Sequence, residues 1–366
     1  MQPIVQIFGN IDLYALGLIS KIPIITETKR FGGNKLFTDE IEIECKNYTN
    51  ILSVDYFKSI FSGMRWKYGS CKIWDNNNIQ RWNGVIRNIK LNHNNKSVKI
   101  ISANSLSKYF SRNINYESSA WETPAQAFKN ICDSVGFTYY DNNALNTSDS
   151  VYAENGCYIK CYFNSGDDIT LQQAIEKIAE ICGADIYGHD DLIYFKVFRI
   201  YSGGASYTIT TDDMVKVPEL DFLEDQLIND YNIKYVGCND TATKDINNGN
   251  IGLISRQDNS NGVHDMAEID GQAGNEIEIK DLPSAVFIGE QGIRKSHMGL
   301  SGIYPSPLKR NNFSVGSKFN KYIDINTYFK MDFIDESWTE KVFDPIEIKI
   351  NSDAETIDIS AVEVES

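Results

Sequence analysis

The chain has 366 residues, more than a single hydrophobic core ordinarily fills, so two or three domains are expected. Hydrophobic residues make up 42%, charged residues 23% and aromatics 12%; this excludes general disorder and, with Tyr 20 and Phe 18, leans toward strands. A formal net charge of −15 repels phosphate backbones and excludes a general nucleic-acid binder.

The opening stretch MQPIVQIFGNIDLYALGLISKIPIITETKR lacks the charged start and small-residue cleavage site of a signal peptide, and no run of about 18 apolar residues offers a membrane anchor. FGGN at Phe31 is a glycine turn, and the few positive charges of TKRFGGNK belong to a solvated loop. From Thr38 to Cys45 the chain alternates acid and apolar, which sets Glu40, Glu42 and Glu44 on one face of a strand and Ile41, Ile43 and Cys45 on the other. Strands are expected in MRWKYGSCKIW and, past a DNNN turn, in IQRWNGVIRNIKL. Val85 to Leu91 and Ser97 to Ser102 make a hairpin around NHNNK, with Gly84 allowing a bend after Trp82. Short strands joined this way make a small barrel ending near Asn115.

Two capped helices follow. TPAQAFKNICDSVGF starts on Thr123 with Gln126 three residues on and Pro124 in first position, and stops at Gly136. TLQQAIEKIAEICGAD repeats the pattern with Thr170, Gln173 and Gly183. Each carries one apolar stripe: Ala127, Phe128, Ile131, Cys132 and Val135 on the first, Ala174, Ile175, Ile178 and Cys182 on the second. ADIYGHDDLIYFKVFRIY then reads as a hairpin turning at Gly188 to Asp191. Past Pro218, LEDQLINDYNIKYVG opens a second strand set; residues 239–275, rich in Asn, Asp and Gly, read as long loops, and PIEIKI and TIDISAVEVE return to alternation. The fold class is thus mainly β with an α/β insert, that is α+β, divided into a first β-barrel domain (1–115), an insert with helices at 123–135 and 170–182 (116–218), and a second β-barrel domain with long polar loops (219–366). The ends of the two β domains, KSVKIISA and ETIDISAVEV, hint at a duplication.

No GxSxG, GxxxxGK[ST] or HExxH motif is present. The pairs Asp167/Asp168, Asp190/Asp191 and Asp212/Asp213 sit at turns or helix starts, where Asp bonds locally, so no catalytic residue is assigned. Seven scattered cysteines without a CxxC pair read as reduced core thiols, and four histidines lack ligand spacing; no metal or cofactor site is expected.

In succession, WNGVIRNIKLNHNNKSVKIISANSLSKYF, ETPAQAFKNICDSVGF, ITLQQAIEKIAEICGADIYGHDDLIYF and QLINDYNIKYVG resemble the tail or baseplate hub proteins of tailed phages, a family that includes the hubs of contractile tails and the related spike hubs of type VI secretion. The resemblance implies two small tube-type β-barrel domains flanking a helix-containing domain, with no enzymatic activity and no cofactor. It implies a homotrimer whose six barrels seat a six-fold tail tube or distal tail protein, with a three-fold spike or fibre protein and a tape-measure protein as further partners. DNA would pass without specific binding during genome ejection and host cell entry. The protein would reside in the virion tail or baseplate after synthesis in the host cytoplasm. Within that frame Glu40, Glu42 and Glu44 are the candidate acidic lining of the passage. A receptor- or carbohydrate-binding tail adhesin is the alternative, with the aromatic loop SHMGLSGIYPSP as its platform.

Overall fold

The structure is a computed structural model that describes residues 3–9, 11–28, 40–46, 69–75, 77–92, 97–164, 168–189, 191–197, 205, 207–222, 228–238, 244–247, 265–298, 306–307, 309–316, 318–319, 323–333, 338–352 and 354–364. The expected FGGN turn lies outside these residues.

The chain opens with strands β1 (Ile4–Ile7), β2 (Ile11–Asp12), β3 (Ile19–Lys21), β4 (Ile25–Thr28), β5 (Glu40–Lys46), β6 (Ser70–Trp74), β7 (Gln80–Asn92) and β8 (Ser97–Asn104). All but β4 join one seven-stranded sheet in the order β2-β1-β6-β7-β8-β5-β3, curled into a half-barrel. Alternation sets its inner face: Ile41, Ile43 and Cys45 of β5 pack with Val5, Ile73, Val98 and Ile100. Gly84 is required by close approach. A Cβ there would lie 2.5 Å from the Ala103 carbonyl oxygen and from Trp82 Nε1, which donates to Ser102 Oγ at 3.0 Å.

The middle of the chain forms α1 (Ser107–Phe110), β9 (Tyr116–Glu117), α2 (Pro124–Ser134), α3 (Asn142–Glu154), β10 (Ile159–Phe163), α4 (Leu171–Ile181), β11 (Ala184–His189) and β12 (Leu192–Val197). The caps of α2 and α4 form as their sequences dictate. Gln126 N donates to Thr123 Oγ1 at 3.1 Å; Gln173 N donates to Thr170 Oγ1 at 3.3 Å while Thr170 N donates back to Gln173 Oε1 at 2.9 Å. Gly136 and Gly183 close both helices at φ of 71° and 67°. The intervening helix α3 was not expected, because only Leu145, Ser148 and Tyr152 of its residues are buried and no apolar stripe advertises it. Its cap is Asp141, which accepts from Ala144 N at 2.6 Å.

The remainder comprises β13 (Thr208–Thr210), β14 (Met214–Phe222), β15 (Ile228–Tyr235), β16 (Lys244–Asn247), β17 (Asp265–Gly271), β18 (Ile277–Ile279), α5 (Leu282–Ser296), β19 (His297–Met298), β20 (Ser306–Pro307), β21 (Lys309–Gly316), β22 (Phe329–Phe333), β23 (Trp338–Asn351) and β24 (Thr356–Val364). A second seven-stranded sheet, nearly a closed barrel, runs β13-β22-β23-β24-β21-β14 with β4 added on β23. Not all of residues 219–366 packs with this sheet. β18 pairs with β10, and Ile277, Ile279, Ala285, Phe287 and Ile288 share one core with Phe128 and Ile175 of the helical unit. Within the stretch read as loops, β16 and β17 flank β15 in a small sheet of their own. The fold is mainly β, with helices between two barrel-like sheets.

Candidate assembly surfaces

The two large sheets contain the same four-stranded unit. β6-β7-β8-β5 in the first matches β22-β23-β24-β21 in the second, with all neighbours antiparallel. The hairpins agree residue by residue. Asn92↔Ser97, Ile89↔Ile100 and Gly84↔Asn104 correspond to Asn351↔Thr356, Ile348↔Ile359 and Phe343↔Glu363, each 259 positions later (351 − 92), and a register shift follows Ile86 in one and Pro345 in the other. β5 lies on β8 as β21 lies on β24, with Ile43↔Ile100 answered by Phe313↔Ile359. Even the edge repeats. Ile19↔Cys45 and Lys21↔Glu44, with a shift between them, match Met214↔Val315 and Lys216↔Ser314, also with a shift between them.

The exposed face of the first unit carries the acids expected there. Glu40, Glu42 and Glu44 point outward on β5, but they do not form a bare acidic row. Arg87 Nη1 donates to Glu40 Oε1 at 2.5 Å and Lys99 Nζ to Glu42 Oε1 at 2.6 Å, and the Glu42 carboxylate pulls the Lys99 ammonium above its usual range. These pairs are solvent-screened and add little stability. The charge pattern is not copied in the second unit: Asn312 and Ser314 stand where Glu42 and Glu44 do, and Asp358 stands where Lys99 does, accepting from Ser314 Oγ at 2.5 Å.

Between the sheets lies a buried ionic cluster. β4 leaves the first sheet and pairs with β23 through Ile350↔Ile25, Lys349↔Thr26, Ile348↔Glu27 and Glu347↔Thr28. From there the Glu27 carboxylate meets Arg81 Nη1 of β7 at 3.4 Å and His189 Nδ1 of β11 at 3.2 Å, while Arg81 Nε donates to Asp75 Oδ2 at 2.9 Å. The Arg81 side chain is only 2% exposed. Burial alone would raise the Glu27 carboxyl, but the His189 hydrogen bond and the Arg81 charge outweigh it and hold the group below its ordinary value. Nearby, Asn83 Nδ2 donates to Asp191 Oδ2 at 2.6 Å. One carboxylate thus ties the first sheet, the helical unit and the second sheet together. Nothing local in the sequence pointed to this cluster, since Glu27 and His189 are 162 positions apart.

No family model matches the sequence, and no curated protein matches it. Solved structures do. Along its whole length the chain is similar to the prophage MuSo2 tail protein from Shewanella oneidensis, with a TM-score of 0.57 over 99% of this chain and 98% of that one at 12% sequence identity. This chain has the phage tail-protein fold. A tail protein from Neisseria meningitidis gives a TM-score of 0.55 at 9% identity, covering 100% and 97% of the two chains. A prophage tail protein from Listeria monocytogenes gives 0.54 at 11%, covering 99% and 94%.

Elsewhere in the tail-protein fold, Asp168, Asp191 and Asp213 hold structural hydrogen bonds, of which only the one between Asp213 and Thr210 is local. Asp168 has φ 50° and accepts from Asn113 Nδ2 at 3.1 Å; Asp213 accepts from Thr210 N at 3.1 Å at the start of a short 3₁₀ turn. Asp167 and Asp190 lie outside the described residues, as do residues 299–305 of the aromatic loop. Six of the seven cysteines are buried, and burial pushes the Cys45 and Cys71 thiols up to about 12. Among the described residues no group of three His, Cys, Asp or Glu side chains is placed to hold a metal ion, and no helix is long and apolar enough to cross a membrane.

Proposed function

We propose that the protein is a structural hub of a phage tail or baseplate, a homotrimer in which three chains supply six matched sheets as the seat for a six-fold tube. The observation that carries this reading is the register-for-register duplication of the four-stranded unit. Two quasi-equivalent units per chain let a three-fold object present six similar surfaces, which is what a joint between a six-fold tube or distal tail protein and a three-fold spike or fibre protein requires. In this reading the chain divides near residues 115 and 218, with β4 and the 228–296 segment exchanged between the parts. The helical units, present once per chain, take the three-fold side.

The ring encloses a passage for DNA, with the tape-measure protein as a transient neighbour, and the protein works without catalysis in the virion tail. Glu40, Glu42 and Glu44 face that passage. Paired with Arg87 and Lys99, they make a wall of mixed charge that offers phosphates no continuous cationic track. Light scattering and electron microscopy of the purified chain test the reading: a three-fold ring is expected, and stable dimers or tetramers would overturn it.

A further inference from the structure

One patch of the helical unit gathers cations and aromatic rings at the surface. Lys108 of α1 and Arg112, two residues past its end, are both exposed, and both lie against the ring of Tyr109: Lys108 Nζ is 4.8 Å from its centre and Arg112 Cζ is 4.6 Å from it. Tyr139 stands beside them, its ring 5.6 Å from that of Tyr109 and the residue 43% exposed. These side chains are held from below. Tyr109 packs edge-on against Phe137 at 5.5 Å, and the fully buried Phe137 meets Phe110 at 5.3 Å. Arg112 Nη1 donates to the Val135 carbonyl at the end of α2 at 2.8 Å, where a cation also suits the helix dipole. Tyr139 is fixed through its backbone: its carbonyl accepts from Ile193 N, and Asp141 N donates to the Ile193 carbonyl, both at 2.9 Å. A ring anchored this way loses little freedom on contact.

Among the described residues neither Lys108 nor Arg112 has a carboxylate partner. The acids of the adjoining segments are committed elsewhere. Asp133 accepts from Lys129 Nζ at 2.6 Å and from the Tyr140 hydroxyl at 2.8 Å, and Asp168 accepts from Asn113 Nδ2 at 3.1 Å. Other lysines that lie over rings in this unit do face acids: Lys160, over Trp121, is across from Glu278, and Lys280, over Tyr158, is 4.0 Å from Asp281. In a chain of formal charge −15, two unanswered cations beside an exposed tyrosine fit an anionic partner. Tyr and Arg are also the side chains that most often carry the binding energy of protein interfaces.

We infer that Lys108, Tyr109, Arg112 and Tyr139 form a docking surface for a short acidic segment of a partner polypeptide, with its carboxylates on Lys108 and Arg112 and an apolar or aromatic side chain against Tyr139. The acidity of the rest of the chain selects this occupant. A nucleic acid or an acidic polysaccharide carries its charge past both ends of the patch and is repelled by a molecule with 50 acids against 35 bases; a polypeptide places acids only where the cations are. The surface belongs to the helical unit alone, so the inference does not depend on how many chains assemble.

The test measures retention of the full chain on the peptides GEFEG and GQFQG, which differ only in charge, immobilised at high density, and on immobilised hyaluronate, an acidic polysaccharide. The native chain is expected to hold to GEFEG, to release it as salt is raised, and to ignore GQFQG. Lys108→Glu and Tyr139→Ala, both at exposed positions, should each lower retention about fivefold at an unchanged melting temperature. Tyr139→Phe keeps the ring and should keep the binding. Equal retention on GEFEG and GQFQG, retention on neither, or equal binding by the native and variant chains would overturn the docking surface. Retention on hyaluronate that Lys108→Glu abolishes, without retention on GEFEG, would assign the patch to a glycan and overturn the polypeptide partner.

Discussion

Glu27 Oε2 lies 3.2 Å from His189 Nδ1 although the two residues are 162 positions apart, and Glu27 reaches that point on a strand hydrogen-bonded into the C-terminal sheet. The contact is therefore made only when β4 has crossed between sheets and the β11–β12 hairpin has docked on both. That hairpin also sends Tyr187 into the core of the second sheet, its ring stacked on Tyr194 at 5.2 Å, with its hydroxyl donating to Asn326. The junction is a test point for the integrity of the whole chain.

Acid should loosen the junction first. The Glu27 carboxyl titrates below its ordinary value of 4.5 in the folded chain, so its stabilising contribution is complete above about pH 4.5 and is lost as pH falls through the lowered folded value. Urea midpoints taken between pH 7 and pH 3 should fall more steeply for the native chain than for Glu27→Gln. Parallel curves for the two proteins would show that Glu27 does not govern the acid response.

Arg81 and Arg87 make ion pairs on the same strand with opposite expected consequences. Arg81→Met leaves Glu27 and Asp75 buried without their cation, a loss of about 3–5 kcal/mol. Arg87→Met removes a pair whose side chains are 61% and 41% exposed and should change stability by no more than about 0.5 kcal/mol. Chemical denaturation of both variants makes the comparison, and similar losses would contradict the burial argument.

Gly84→Ala inserts a methyl group 2.5 Å from the Ala103 carbonyl oxygen, a backbone atom that can retreat only if β8 separates from β7. A loss of about 1–3 kcal/mol is expected, read as a lower melting temperature. Ala at Gly274, where nothing lies within 4 Å but φ is 94°, separates steric crowding from backbone strain and should cost less.

Changing Glu40, Glu42 and Glu44 together to Lys turns a balanced face wholly cationic, since Arg87 and Lys99 remain. In the proposed hub, where these residues face the passage, particles carrying the variant should assemble normally and eject DNA more slowly, because each lysine adds a phosphate contact. Ejection kinetics equal to those of the native particle would remove the residues from the wall.

What could be read from residue order alone was whatever local chemistry decides. Thr123 and Thr170 start helices because a hydroxyl three positions before a free N–H is sufficient, and the β7–β8 and β23–β24 hairpins announce themselves through period-two alternation. The weak likeness of KSVKIISA to ETIDISAVEV corresponds to a duplication of backbone register across a four-stranded unit, hidden because a pleated sheet demands only that Val98 and Ile357, or Ile100 and Ile359, be apolar. Choice of partner was not readable. IPIITET looks like any apolar strand and says nothing of β23; Ile277 and Ile279 alternate correctly yet serve the helical core. The acids of β5 gave no sign that Arg87 and Lys99, 47 and 57 positions away, would balance them.

The crossing of β4 also sets a schedule for biosynthesis. Ile25 cannot meet Ile350 until 325 further residues (350 − 25) have been translated, roughly 15–65 s at ordinary elongation rates. Throughout that interval a short strand, Ile25–Thr28, with an unsatisfied backbone edge hangs from an incomplete chain. The nascent chain is then most exposed to aggregation and most dependent on chaperones, and a ribosome stalled before β23 would release a product that can make its first sheet but never bury the strand it was built to give away.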